Sequence, residues 1–464
     1  MRKPKSVGRT AVRPPRCLTA FAIVALAALV LSGTAQAQVA TPFGQLGDQL
    51  ALGQGSGQVI APAAVQHNAE PPLDATPVEP CGPGSRPEPS TDGRVPAGSA
   101  TDGLTCNTTM VSHQGTSGGF KTLRYSDANG HTCAFYDTAL LFPINAFKLD
   151  SSSVGVAVVD MTDPSHPVQT DTLTAAPMLS PHESLVLNAK RGIIAAVLGN
   201  PNTQPGDVAL YDASTDCRHP VKDFEGVIAR IGHESGFSPD GRTFYAAGTA
   251  QKSVTAIDVT DPKNPFDLWQ GQLLSHGLSL SDDGNRAYVA DSGSGQMAIL
   301  DTSQIQARKA DPRVREISRL TWKSVSIPQN AIPFSEGGHP YILEFDEYSQ
   351  GLSQSGDVGA ARIIDIADET HPLVVSNLRL AIDNPGAGRT AAANDPGNLS
   401  PLQGYAAHYC NIPTRVDPKV VACSFISSGL RIFDISDLLH PKEIGYYVSP
   451  TKPTAENGQS DSDF

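Results

Sequence analysis

The feature that most constrains this chain is a short motif that occurs six times. Each copy is an apolar run that ends in aspartate, and five of the six copies continue into a turn that closes with proline. The copies are VGVAVVDMTDPSHP (154–167), VALYDASTDCRHP (208–220), VTAIDVTDPKNP (254–265), MAILDTSQ (297–304), ARIIDIADETHP (361–372) and LRIFDISDLLHP (430–441). A motif that recurs at spacings of tens of residues indicates one supersecondary unit per copy.

Each unit contains four strand-like segments. The first two are joined by a hairpin turn such as SPDG (238–241) or SDDG (281–284). The third segment ends in the repeated aspartate, and the fourth follows the proline. Four-stranded units with almost no helical periodicity predict an all-β fold, a β-propeller of four-stranded blades. Six units are read directly, and the longer gaps leave room for a seventh blade.

The start of the chain predicts export. Residues 1–37 combine a basic beginning, an apolar run from Leu18 to Leu31 that is short for a bilayer span, and a small-residue site at Ala35-Gln36-Ala37. We therefore expect a signal peptide and a secreted, extracellular or cell-envelope protein without a transmembrane segment in its mature chain. Residues 38–105 are rich in Pro and Gly and predict a flexible leader, 106–450 the propeller, and 451–464 a flexible tail.

Charge and cysteine content narrow the partners and the compartment. Without residues 1–37, the chain has 28 lysines and arginines against 47 acidic residues, which disfavours nucleic acid as a partner. Six cysteines then remain, an even number that favours disulfides in an exported protein. Cys410 and Cys423 flank a predicted hairpin and are the first pair expected, and Cys81 and Cys106 would fasten the leader.

The motif also resembles a known family. The Asp-ending strands are similar to those of the LVIVD-repeat family of exported bacterial propellers, and AHYC (407–410) with GLRIFDISDLLHPKEIGYY (429–447) resembles the closing unit of such proteins. The resemblance covers roughly residues 106–448 and implies a propeller. It implies no particular reaction, because the family has no common activity.

Histidines recur at a second fixed place, the start of the first strand of a unit. Four of them lie 25 or 26 residues before their strand-three aspartate, and one lies 30 residues before it because of an insertion. First strands are the innermost of a blade, so these side chains should converge at one mouth of the central channel, where neutral imidazoles on a rigid frame can bind a metal ion. The candidate metal ligands are His182, His233, His276, His339 and His408.

Four further residues are expected beside this channel mouth. Lys121 has the matching place in the first unit. Glu183 and Glu234 each follow a histidine directly, so in an extended segment they would point away and could orient an imidazole of a neighbouring blade. Glu347 ends the strand that begins near His339.

The histidine pattern has three interpretations: a structural role within the blades, a transition-metal site, and a site for an anionic or polar ligand. The first functional hypothesis is accordingly a monomeric binding scaffold for an unidentified protein, polysaccharide or small ligand. The second is an enzyme that depends on copper or another divalent transition metal. SPHESLVL (180–187) is faintly similar to copper oxidases of the selenium-binding type, which implies such a metal site. The sequence assigns no catalytic residue and no definite cofactor.

Overall fold

A computed structural model describes residues 57–115, 121–138, 155–179, 181–198, 206–230, 232–248, 253–291, 294–347, 358–384, 395 and 404–450. All of them belong to one compact unit, Ala40–Phe464. The predicted signal peptide, residues 38–56 of the predicted leader and the predicted tail lie outside the described residues. Among the residues described, no helix is long and apolar enough to cross a membrane.

The described strands form six sheets, each built around four consecutive antiparallel strands, and this confirms the propeller. Blade 1 has strands β4 (Thr122–Ser126), β5 (Thr132–Asp137), β6 (Val156–Asp160) and β7 (Val168–Leu173). Blade 2 has β8 (Val186–Asn188), β9 (Ile193–Val197), β10 (Gly206–Asp212) and β11 (Val221–Ala229). Blade 3 has β12 (Gly236–Phe237), β13 (Thr243–Ala247), β14 (Val254–Asp258) and β15 (Phe266–Gln272).

The second half of the ring has the same order of strands. Blade 4 has β16 (Leu278–Leu280), β17 (Arg286–Asp291), β18 (Gln296–Asp301) and β19 (Arg315–Trp322). Blade 5 has β20 (Ile327–Glu336), β21 (His339–Glu347), β22 (Ala361–Asp365) and β23 (Leu373–Leu378). Blade 6 has β24 (Ala407–Asn411), β25 (Val420–Phe425), β26 (Gly429–Asp434) and β27 (Lys442–Val448). The described helices are short: α1 (Ala176–Leu179), α2 (Ser303–Gln306) and two 3-10 turns, His182–Ser184 and Ala381–Asp383.

The repeated aspartate ends the third strand of every blade because its carboxylate caps the turn that follows. In each case one carboxylate oxygen accepts a hydrogen bond from the backbone N–H two residues later, at 2.7–3.1 Å. Aspartate favours such turns because its short side chain can reach its own backbone. The six capping residues are Asp160, Asp212, Asp258, Asp301, Asp365 and Asp434.

The core lies between the blades, where the second and third strands bury both faces. In β9, for example, all five residues are buried, as they are in β13 and β14. Blade 5 packs on blade 6 through one apolar cluster that includes Leu343, Phe345, Phe425 and Phe433. Continuous apolar strands of this kind are expected where a sheet is covered on both sides.

The segment predicted as a flexible leader is instead part of the propeller over its described residues. Strand β1 (Gln58–Val59) pairs with β15, β2 (Val65–Asn68) pairs with β19, and β3 (Leu104–Cys106) pairs with β27. The leader thus adds a fifth, outer strand to blades 3, 4 and 6. Its Gly/Pro-rich composition hid this role, since isolated strands of two to four residues leave little hydrophobic periodicity.

Three disulfides join the six cysteines, and both expected pairs are confirmed. Cys410 and Cys423 lie opposite each other on β24 and β25, and Cys81–Cys106 ties the leader to itself beside blade 6. The third bond, Cys133–Cys217, connects β5 of blade 1 to the turn after β10 of blade 2. That bond spans 84 residues of sequence, whereas Cys410–Cys423 spans 13.

We predict that removing the interblade disulfide destabilises the protein more than removing the bond within blade 6. A longer covalent loop restricts the unfolded chain more, and the chain-entropy estimate gives about 4–5 kcal/mol for the first bond and about 3 kcal/mol for the second. The measurement is the thermal unfolding midpoint of a Cys133→Ala/Cys217→Ala variant beside a Cys410→Ala/Cys423→Ala variant. An equal or reversed order would contradict the prediction.

Candidate metal centre

Four of the five predicted histidines meet at one place, each at the start of an inner strand. His182 lies in the 3-10 turn before β8, His233 and His276 just before β12 and β16, and His408 within β24. The imidazole of His233 lies 4.7 Å from that of His182 and 4.4 Å from that of His276, measured between ring centres. Blades 2, 3, 4 and 6 therefore supply the cluster, which we call the axial group together with its carboxylates.

The axial group is a closed ring of five side chains. The Glu183 carboxylate lies 2.9 Å from His233 Nε2 through Oε2 and 2.9 Å from His408 Nε2 through Oε1. His233 Nε2 is 3.2 Å from His276 Nε2, which is 2.8 Å from Glu347 Oε1. Glu347 Oε2 closes the ring at 3.5 Å from His408 Nε2.

Protons alone do not satisfy these contacts well. His233 Nε2 and His276 Nε2 each face a carboxylate oxygen and also face each other. A neutral imidazole nitrogen offers one proton or one lone pair, directed along a single line. A cation inside the ring would serve all of these atoms together, because every one of them can present a lone pair to it.

The spacing of the ring atoms fits ligands of one ion. Donor atoms held at about 2.0–2.2 Å from a tetrahedral or octahedral transition metal lie roughly 3.0–3.5 Å from one another. The contacts around the ring run from 2.8 to 3.5 Å. The side chains are buried, with exposed fractions of 0–7% for these three histidines and 2–3% for the two glutamates.

Glu183 reaches the ring because its segment is a turn rather than a strand. His182 has a φ of +52°, in the left-handed region, and Ser184 Oγ bonds the carbonyl of Pro181 at 2.6 Å. The extended segment assumed from the sequence would have pointed Glu183 away from its histidine. A non-glycine residue in this backbone region needs support from its surroundings, and such conformations are common at functional sites.

Lys121 and Glu234 form a second layer next to the ring. The Lys121 ammonium donates to Glu234 Oε1 at 2.8 Å and to the backbone carbonyl of Glu183 at 2.9 Å. Asn330 Nδ2 also donates to Glu234 Oε1, at 2.6 Å. Lys121 thus holds the Glu183 turn in place and partly neutralises the carboxylates, as its position in the first unit suggested.

Gln329 is the residue of this site that sequence reasoning missed. It lies on β20, the inner strand of blade 5, and its Nε2 donates to the Tyr409 hydroxyl at 3.2 Å and approaches Glu234 Oε2 at 3.4 Å. It precedes the turn residue Gly337 by eight positions, the spacing that separates His233 from Gly241 and His276 from Gly284. Counting back from the turn glycine would have found it.

The structure does not bring His339 to the axial group. His339 begins β21, the second strand of blade 5, where its side chain is 44% exposed and its Nε2 lies 2.8 Å from Asp365 Oδ2. Glu347 ends the same strand, eight residues and roughly 26 Å further on. The sequence register failed here because β20 and β21 are longer than the matching strands of the other blades, so a fixed count back from Asp365 reached the wrong strand.

Burial and mutual charge set different proton affinities in the axial group. Burial by itself would raise the pKa of Glu183, but the surrounding His233, His276 and His182 hold that pKa well below its usual value. Burial, followed by the charge of Glu183, raises the pKa of Glu347 well above its usual value. Burial also lowers the pKa of His276 and brings the pKa of His182 to about 3, so both imidazoles are neutral at pH 7.

A second cluster of potential ligands is a structural turn instead. The buried Asp127 accepts hydrogen bonds from the backbone N–H groups of Asn129, His131 and Cys217 and lies 2.9 Å from His131 Nδ1. Asp216 beside it is engaged by Arg218 at 2.8 Å. These carboxylates are saturated by protein donors, so the axial group is the better metal candidate among the described residues.

Comparison with known proteins supports the architecture and no more. No protein-family model matches the chain, so the LVIVD resemblance stays a prediction, and no curated protein matches it. Among solved structures the chain is similar to the periplasmic gluconolactonase of Pseudomonas aeruginosa, at 12% identity over 79% of this chain and 95% of that one, with a TM-score of 0.49. It is also similar to a putative 6-phosphogluconolactonase from Bacteroides fragilis, at 10% identity over 65% and 83% of the two chains, with a TM-score of 0.45. Likeness at this level says nothing about activity.

We predict that the metal-free protein loses stability as the pH falls below about 6.5 and that His182 accounts for part of the loss. The pKa of His182 is near 3 in the folded chain, whereas an unfolded histidine titrates near 6.5, so between these values the unfolded state binds the extra proton. In chelator-treated protein, the fall in melting temperature from pH 7 to pH 4.5 should be smaller in His182→Asn by roughly 5 °C. His339→Asn, which changes an exposed histidine, should follow the wild type, and a His182→Asn profile equal to the wild type would contradict the prediction.

Proposed function

We propose that this protein is a metal-dependent propeller that holds one divalent transition-metal ion in the axial group. His233, His276 and His408 supply nitrogen ligands, Glu183 and Glu347 supply oxygen ligands, and His182 lies at the edge of the set. Of the two functional hypotheses drawn from the sequence, the metal-dependent enzyme is the one that the contacts of this site support.

The observation that carries the proposal is an excess of buried negative charge. Glu183, Glu234 and Glu347 are each at most 3% exposed in their side chains, and the ammonium of Lys121 is the cation in contact with them. Three carboxylates and one ammonium give a formal charge of −2. Buried charges that lack a counter-ion cost several kcal/mol each, and a divalent cation would remove that cost.

The donor set limits which ions fit. All six cysteines that follow residue 37 form disulfides, so no thiolate is available within the described residues. Imidazole nitrogen and carboxylate oxygen suit manganese, iron, cobalt, nickel, copper and zinc, and copper therefore stays among the candidates. The disulfides support an oxidising compartment, in agreement with the predicted export.

An ion held in this way would act as a Lewis acid on a small molecule or water bound beside it. The protein residues have separate roles around it. Glu183 ties the ligands of blades 3 and 6 together through its two oxygens, and Lys121 with Glu234 forms the polar layer behind the Glu183 turn. We assign no substrate, because the described contacts select for an ion and not for a larger molecule.

We predict that the chain from residue 38, expressed without a polyhistidine tag, contains close to one transition-metal ion per molecule. A His233→Ala/His276→Ala variant should lose at least nine-tenths of that metal, because two neighbouring ring ligands are removed. His339→Ala is the matched control and should retain the wild-type content. Elemental mass spectrometry of the purified proteins gives the result.

Two outcomes would contradict the proposal. The first is a wild-type protein that takes up no ion after incubation with each candidate metal. The second is metal that survives in the double variant and is lost in His339→Ala. In either case the histidines would be framework residues of a propeller that acts as a binding scaffold.

A further inference from the structure

We infer that Glu70, in the leader, is a positioning residue for the axial ligand Glu347. This inference rests on the proposed metal site. It assigns to the N-terminal segment a part in building that site, although the leader contributes no ligand to it.

Glu70 enters the propeller from the outside. It follows β2, the leader strand that pairs in parallel with β19 of blade 4, by two residues. Its side chain is only 2% exposed. A glutamate of an outer strand is normally solvated, so its burial requires specific partners.

The first partner is the turn between blades 4 and 5. The two carboxylate oxygens of Glu70 accept hydrogen bonds from the backbone N–H and the hydroxyl of Ser324, at 2.6 and 2.7 Å. Ser324 is fully buried, and it lies in the short connection from Trp322, the last residue of β19, to Ile327, the first of β20. Glu70 therefore fixes this connection from the leader side.

The same connection holds the end of β21. Ser326, two residues after Ser324, donates its hydroxyl to the backbone carbonyl of Glu347 at 2.7 Å. The backbone N–H of Ser326 donates to Asp346 Oδ2 at 3.1 Å. The last two residues of β21 are thus fastened to the connection that Glu70 caps.

A buried arginine provides a second route. Arg362 is fully buried, lies over the ring of Trp322 at 4.3 Å, and donates to Asp346 Oδ2 at 3.0 Å. Its Nε lies 3.8 Å from Glu70 Oε1. Glu70 thus contributes to the position of Asp346 on one side of the strand, and the next residue, Glu347, faces His276 on the other.

This support matters because a metal ligand tolerates little displacement. The Glu347 carboxylate must stay within contact distance of His276 and His408 to take part in the ring. Groups that orient ligands change metal affinity typically 10- to 100-fold when they are altered. Glu70 acts from further away, so we expect about the lower end of that range.

Glu88 offers a matched control in the same leader. It also pairs with a fully buried arginine, Arg431, at 3.0 Å, and that arginine likewise lies 4.3 Å over an aromatic ring, that of Tyr446. Its recorded partners, Arg431, Gly93 and Tyr446, lie outside the axial group. A change at Glu88 therefore reproduces the loss of a leader carboxylate without the connection to Glu347.

The test compares Co²⁺ binding by the full mature chain as wild type, Glu70→Gln, Ser326→Ala and Glu88→Gln, measured by competition with a chromogenic chelator and by the ligand-field spectrum of the bound ion. We expect affinity about 10-fold lower and an altered spectrum in Glu70→Gln and Ser326→Ala. We expect Glu88→Gln to bind within 2-fold of the wild type with an unchanged spectrum. Ser326→Ala gives the answer if Glu70→Gln does not fold.

The outcomes separate this inference from the proposed function. Wild-type binding together with unchanged affinity and spectrum in both Glu70→Gln and Ser326→Ala would overturn the positioning role and leave the metal site standing. An equal loss in Glu88→Gln would also overturn it, because the effect would then reflect general destabilisation. Failure of the wild-type chain to bind Co²⁺ would remove the metal site and this inference with it.

Discussion

The contacts at the propeller axis depend on one buried carboxylate, that of Glu183. Its two oxygens lie 2.9 Å from imidazoles of blades 3 and 6, His233 and His408, while its own backbone belongs to blade 2. A buried carboxylate is tolerable only with such partners. The turn that carries Glu183 is in turn held by Lys121 of blade 1. Four blades thus converge on a single side chain, and the ring geometry that suits an ion follows from it.

The frame behind the site owes its rigidity to features outside the repeated units. The leader covers the outer edges of blades 3, 4 and 6, edges that would otherwise expose unpaired backbone groups. It also places carboxylates beside buried arginines, Glu70 at Arg362 and Glu88 at Arg431. The Cys133–Cys217 bond joins blades 1 and 2. A site assembled from distant parts of the sequence needs such a frame, because each ligand belongs to a different blade.

Local signals made the repeat predictable, and long-range packing limited the rest. Each strand-three aspartate caps its own turn, so the motif could be read without tertiary information, and the blades followed from it. The histidine register held wherever the first two strands had their usual length and failed at His339, where longer strands shifted the count. Gln329 has the right spacing but the wrong residue type for a histidine search. The leader strands could not be predicted, because their partners lie more than 200 residues away along the chain.

The central claim, a single ion held by the axial group, is tested most directly by locating the ion. Crystals of metal-loaded protein should show one strong anomalous peak at the absorption edge of the bound element. The account predicts that this peak lies about 2.0–2.2 Å from Nε2 of His233, His276 and His408 and from a carboxylate oxygen of Glu183 or Glu347. A peak elsewhere on the molecule, or an axial group that holds only hydrogen-bonded water in metal-soaked crystals, would contradict it.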